Sequence, residues 1–156
     1  MHYKLYNQTE TSNKTLHKII NFCCPVKLDN FKVYVKYFNG GEFDGYANSD
    51  CRRIVVRINR KLHFPQCIFN KKLRKYGYTS NEMVRNRNEL LTELIAHEIR
   101  HLWQFLISSQ KFSDTITHTF HHNGTIYQTN IRIEKDACKY GSKMLLKWRK
   151  FIKNGN

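Results

Sequence analysis

Between residues 86 and 108, Leu90, Leu91, Leu94, Ile95, Leu102, Phe105 and Leu106 fall on one stripe of a 3.6-residue repeat. That spacing predicts a long amphipathic helix, and the rest of the fold has to be arranged around it. Asn86 followed by Glu89 has the spacing of a capping box, so the helix is expected to begin near Asn86 and to run to about Ser108.

The remaining segments predict an α–β–β–α–β–α order. Residues 13–22 carry Leu16, Ile19, Ile20 and Phe22 at helical spacing. Residues 31–38 alternate Lys32 and Lys36 against Phe31, Val33, Val35 and Tyr37, and 52–58 (RRIVVRI) form a second strand. The run NGGEFDG at 39–45 reads as a turn or hairpin loop, and 59–85 as loop with short elements. Asn123-Gly124 stands between two strand-like runs, and a final helix covers about 133–153. With 156 residues, two prolines, seven glycines, no internal repeat and no linker, the chain reads as a single domain over 1–156.

Composition narrows the functional classes. The sequence is 40% hydrophobic, enough for a core, and carries a net charge of +15, which suits acidic partners such as nucleic acid. No apolar run approaches the roughly 18 residues of a membrane span, and residues 1–14 lack the apolar core of a secretory signal. The expectation is an intracellular protein without membrane insertion. Five cysteines, Cys23, Cys24, Cys51, Cys67 and Cys138, are an odd number without CxxC spacing, and they read as reduced, largely buried thiols.

Chemistry concentrates inside the long helix. His97-Glu98-Ile99-Arg100-His101 is an HExxH pattern, in which two imidazoles four residues apart share a face and reach one metal ion. Glu98 sits beside them, where its carboxylate can take a proton from a metal-activated water without being a ligand. A shuffled chain of this composition would contain the pattern roughly 0.02 times.

A catalytic zinc site takes three protein ligands. With Ala137 as origin on the last helix, Tyr140, Met144, Trp148 and Phe151 define the core face. Glu134 lies about 60° from the origin at its edge, and Asp136 at about 260°, towards the basic side. A carboxylate turned towards the core needs a partner, so Glu134 is the favoured third ligand. Asp136, His118, His121 and His122 are the alternatives.

The segment Ala96-His97-Glu98-Ile99-Arg100-His101-Leu102-Trp103-Gln104, followed by Glu134-Lys135-Asp136-Ala137 and Tyr140-Gly141, resembles compact gluzincin-like metallopeptidases of the zincin class. These are the phage and bacterial proteins with an HELRHxWQ-type helix and a later ExDA helix, similar to the ImmA/IrrE and minimal gluzincin groups. The likeness covers about 45–145. It implies an α+β, zincin-like fold, with a small twisted β-sheet packed on the HExxH helix and a C-terminal helix. It also implies one Zn2+ per chain on His97, His101 and Glu134, Glu98 as general base, and Asp136 holding a ligand in orientation. Arg100, between the histidines, departs from strict zincin patterns; the phage-type variants tolerate a charge there.

The activity expected is hydrolysis of a protein or peptide substrate. Tyr127 and Tyr140 are candidate oxyanion donors, and the 52–58 strand a candidate edge for an extended substrate. Lys135, Lys139, Lys143, Lys147 and Lys150 share the opposite face of the last helix, and with Lys71, Lys72, Arg74 and Lys75 they are candidates for phosphate contact. Two alternatives follow: an SprT-like DNA-associated protease with a histidine third ligand, or a basic nucleic-acid-binding module on an inactive zincin shell. A serine or cysteine nucleophile scheme finds no GxSxG-like signature.

Overall fold

Phe31, Val33 and Val35 point to one side of their strand and are fully covered, while Lys32 between them is exposed. The computed structural model describes residues 2–24, 28–67, 83–106, 117–122 and 125–155, with backbone alone at 66–67, 117–122 and 125–131. In chain order the elements are β1 (Tyr3–Gln8), α1 (Asn13–Cys23), β2 (Phe31–Tyr37), β3 (Phe43–Asn48), β4 (Arg53–Ile58) and β5 (Gln66–Cys67). There follow β6 (Met83–Val84), α2 (Arg87–Leu106), β7 (Thr117–His122), β8 (Thr125–Asn130) and α3 (Ile131–Lys153). The architecture is α+β, and among the described residues it comprises a four-stranded mixed sheet, two two-stranded ladders and three helices.

The main sheet has the order β1-β2-β4-β3. β1 and β2 run parallel from Tyr3↔Phe31 to Gln8↔Lys36, with α1 as the crossover that parallel pairing demands. β3 and β4 form an antiparallel pair from Phe43↔Ile58 to Asn48↔Arg53, closed by a turn in which Cys51 N–H donates to Asn48 Oδ1 at 2.7 Å. That hairpin slots β4 between β3 and β2. Ile54, Val55, Val56 and Ile58 are all buried, as befits a strand with neighbours on both sides.

Three expectations are corrected here. β4 is interior, bonded to β2 and β3, so it has no free edge for a substrate; β3 ends the sheet. The 39–45 turn is shorter than its composition suggests, because Phe43 already pairs with Ile58, and β2 and β3 are not hairpin partners. The first strand, β1, was not expected at all. Its pattern of half-buried and exposed residues gives little apolar signal, and its parallel partner lies 28 positions away at Phe31.

The long helix α2 is covered around most of its circumference, packing on α3, α1, β4 and β3. Its Leu90, Leu91, Ile95, Ala96 and Leu102 join Leu16, Ile19 and Ile20 of α1, the strand residues above, and Met144, Leu145 and Trp148 of α3 in one core. Phe105, placed on the apolar stripe, is exposed at 44% near the helix end. The capping box is displaced by one residue. Asn86 Oδ1 accepts the Glu89 N–H at 3.0 Å, but the Glu89 carboxylate takes the N–H of Arg85 at 2.9 Å. Ser108, Asn123 and Gly124 lie outside the described residues; β7 and β8 pair antiparallel, with Phe120 opposite Tyr127. No helix among the described residues is long and apolar enough to cross a membrane.

Burial on α2 is not confined to apolar side chains. Glu89, Thr92, Glu93, Glu98, His101 and Gln104 are buried as well. Polar groups removed from water on this scale have to find partners: Glu89, His101 and Gln104 find theirs on α3, and Thr92 bonds Asn88 O within its own helix.

Candidate metal centre

His97 and His101 stand one turn apart on α2, and their rings meet edge-on, with centroids 4.6 Å apart and planes at 77°. Their Nε2 atoms are 3.0 Å apart. The first turn of α3 carries Glu134 across to them: Oε1 lies 3.2 Å from His101 Nε2 and Oε2 lies 3.5 Å from His97 Nε2. Donors held tetrahedrally at about 2.0–2.1 Å from one zinc ion are about 3.3 Å from one another. The three measured separations bracket that figure.

The protonation of the cluster follows from its neighbours. Gln104 donates its Nε2 to Ile133 O at 3.1 Å and to Asp136 Oδ2 at 2.8 Å, so its Oε1 is the atom facing His101 Nδ1 at 2.9 Å. That oxygen can only accept, and the network therefore assigns the Nδ1 proton to His101. Nε2 is then the atom turned to Glu134 and His97. Burial opposes the charge on Glu134, yet hydrogen bonds from His101 and His97 hold its carboxyl well below the usual carboxylate range. Burial likewise opposes charge on His97, while Cys138, Glu134 and Glu98 raise it well above an ordinary imidazole. Both directions express one demand: these converging electron pairs favour a positive charge among them. The donor set, two imidazoles and a carboxylate, fits a divalent metal.

The structure corrects the helical-wheel placement of Asp136. This residue faces α2, accepting Arg100 Nε at 2.6 Å and Nη2 at 3.2 Å as well as the Gln104 amide. Arg100, the charge between the histidines, is accommodated by this pair and by stacking 4.1 Å over the Trp103 ring. Gln104 was within the motif, but its bridging role was not legible there.

Glu98 is 4% exposed, and its Oε2 has no hydrogen-bond partner among the described residues. A Cβ on Gly45 of β3 would sit 2.5 Å from Glu98 Oε1, so glycine at that point of the strand makes room for the carboxylate. Burial raises the Glu98 pKa above the ordinary value; the charges of Glu134 and Asp44 reinforce the shift, and those of His97 and His101 oppose it. One turn before His97, Glu93 is also buried, packed against Gly141, and burial raises its pKa to about 7.

Cys138 is a member of the cluster that sequence reading missed. His97, Glu134 and Cys138 have ligand atoms all within 4.8 Å of one another, a grouping that could hold a metal ion. The available signal was its position four residues after Glu134, on the same face of α3. Tyr140 does not fit the oxyanion role, because its single O–H donates to Cys23 O at 2.8 Å. The side chains of Tyr127, His118, His121 and His122 lie outside the described residues, as do Lys71, Lys72, Arg74 and Lys75. Lys139, Lys143, Lys147 and Lys150 are exposed along α3, and Lys135 is half-buried.

No family model, curated protein or solved structure matches the chain.

Proposed function

We propose that the chain is a zinc-dependent peptidase in which His97, His101 and Glu134 hold the metal and Glu98 moves the proton. The observation that carries this reading is the meeting of three side chains, with the two imidazole Nε2 atoms 3.0 Å apart and the two Glu134 oxygens 3.2 and 3.5 Å from them, beside a buried carboxylate whose Oε2 has no hydrogen-bond partner among the described residues. The zincin-like HExxH and ExDA segments supply the reaction class, and zinc is the metal most suited to two imidazoles and one carboxylate. When bound, zinc supplies Lewis acidity, polarising a carbonyl oxygen and making water more acidic.

The chain's residues supply the rest. Gln104 and Asp136 fix the His101 ring so that Nε2 faces the cluster. Glu98 accepts a proton from the attacking water and returns it to the leaving amine. A carboxyl whose pKa is raised by burial is suited to both transfers near neutral pH. Gly45 keeps that carboxyl free of a steric block from β3.

The test is cleavage of a diverse peptide mixture by the zinc-loaded protein and by Glu98→Gln, each with its zinc content measured. The expected result is zinc-dependent cleavage by the wild type and a rate lower by about 10²–10⁴-fold in the variant at equal zinc. Equal cleavage by both proteins, or none by the zinc-loaded wild type, contradicts the reading.

A second reading has its own observation: Lys139, Lys143, Lys147 and Lys150 are exposed on one helix of a chain with net charge +15. Nucleic-acid contact through that face predicts a log–log salt slope of several units. The DNA-associated protease with a histidine ligand draws less support, because Glu134 already stands at ligand distance.

A further inference from the structure

We infer that Cys138 is a fourth metal donor, so that its thiolate takes the coordination position a catalytic centre reserves for water or substrate. This rests on the metal reading of His97, His101 and Glu134. Cys138 follows Glu134 by one turn of α3, and the Cys138, His97 and Glu134 ligand atoms lie within 4.8 Å of one another. The thiol is 7% exposed and is in no disulfide, so it is held inside the cluster as a reduced sulfur. Thiolate is among the strongest zinc donors, and a tetrahedral site filled by two nitrogens, one oxygen and one sulfur is closed. On coordination the thiol proton leaves to solvent and the sulfur–metal bond forms; when the sulfur is reprotonated and leaves, the fourth position opens. Cys138 thus fills the fourth position of the resting centre and gives it up when substrate binds.

The experiment uses Co(II) and Zn(II) as probes on the full chain. Co(II) binding to the wild type should produce a near-ultraviolet thiolate-to-metal charge-transfer band. That band should be absent in Cys138→Ser and retained in Cys51→Ser, which alters an exposed thiol. In parallel, the wild type is alkylated with iodoacetamide with and without Zn(II), and each cysteine is followed by mass spectrometry. Zinc should slow modification of Cys138 by roughly tenfold or more and leave Cys51 unchanged. This second measurement needs no variant and stands even if Cys138→Ser folds poorly. One Co(II) per chain without the band, or Cys138 modified equally fast with zinc, overturns the fourth donor while leaving the three-donor centre standing. Failure of the wild type to bind either metal removes both.

Discussion

Asp136 accepts the side-chain amide of Gln104 at 2.8 Å, across 32 residues of sequence, and by doing so decides which nitrogen of His101 faces the cluster. With the amide nitrogen committed to Asp136 and Ile133 O, the amide oxygen is left for His101 Nδ1. Orientation of the His101 imidazole is thereby set by a residue on the neighbouring helix.

The relay predicts the behaviour of Gln104→Ala. Metal affinity should fall by about 10–100-fold, the usual effect of removing a group that orients a ligand. Stoichiometry at saturating metal should be unchanged. Competition against a chromogenic chelator reads the affinity; an unchanged constant would show that His101 is held without Gln104.

Gly141→Ala sets two effects against each other. Alanine in a helix interior is favoured over glycine by about 1 kcal/mol. A Cβ at this position, however, would lie 2.7 Å from Glu93 Oε1 and 3.1 Å from Glu93 O, so α2 and α3 would have to separate or the buried carboxylate move. Overpacking of this kind costs about 1–3 kcal/mol, and it should win. Chemical denaturation is expected to show a lower midpoint for the variant; a higher one would mean that the helix contact is looser than described.

Glu93 gives stability a pH dependence of unusual sign. Its pKa is raised to about 7 by burial, against roughly 4.3 in an unfolded chain. The folded state therefore binds this proton more tightly, and the contribution is favourable at low pH. It is lost as pH rises from about 4.3 through 7, by about 4 kcal/mol in all. Glu93→Gln should flatten that part of the metal-free stability profile and leave the variant more stable than the wild type at pH 8. A parallel pair of profiles would contradict the assignment.

Glu89 acts in the opposite direction. Burial would raise its pKa, but hydrogen bonds from Arg149, Nε at 3.1 Å and Nη2 at 2.8 Å, and from the Arg85 N–H outweigh it and lower the value. Its stabilisation is present above the unfolded carboxyl pKa and is lost as pH falls through the folded one. Arg149→Met should cost about 1–3 kcal/mol at pH 7 and much less below pH 3, measured by urea denaturation at both. An equal cost at both values would assign the effect to packing.

The sequence was most informative where one periodicity dominates. The apolar stripe of α2, the alternation in β2 and the histidine spacing at 97 and 101 each depend on a few consecutive residues, and each is realised. The position of Glu134 beside the histidines was legible because a carboxylate on an apolar helix face is an anomaly. β1 was illegible because its stabilisation comes from a parallel partner and a crossover helix rather than from its own pattern. The interior position of β4 was hidden for a related reason: burial on both faces shows in its apolar run, but not which strands flank it. Gln104 and Cys138 look unremarkable on their own helices. Their roles exist only once α2 and α3 lie side by side.

The central claim is that His97, His101 and Glu134 hold one divalent ion, and metal stoichiometry tests it most directly. The chain should be purified without chelator, dialysed against limiting zinc and analysed by elemental mass spectrometry beside Glu134→Ala and a His97→Ala, His101→Ala double variant, with circular dichroism confirming that each folds. About one zinc per wild-type chain is predicted, with affinity sharply reduced in Glu134→Ala and binding abolished in the double variant. A folded wild type without zinc, or folded variants that retain it at full affinity, would contradict the account.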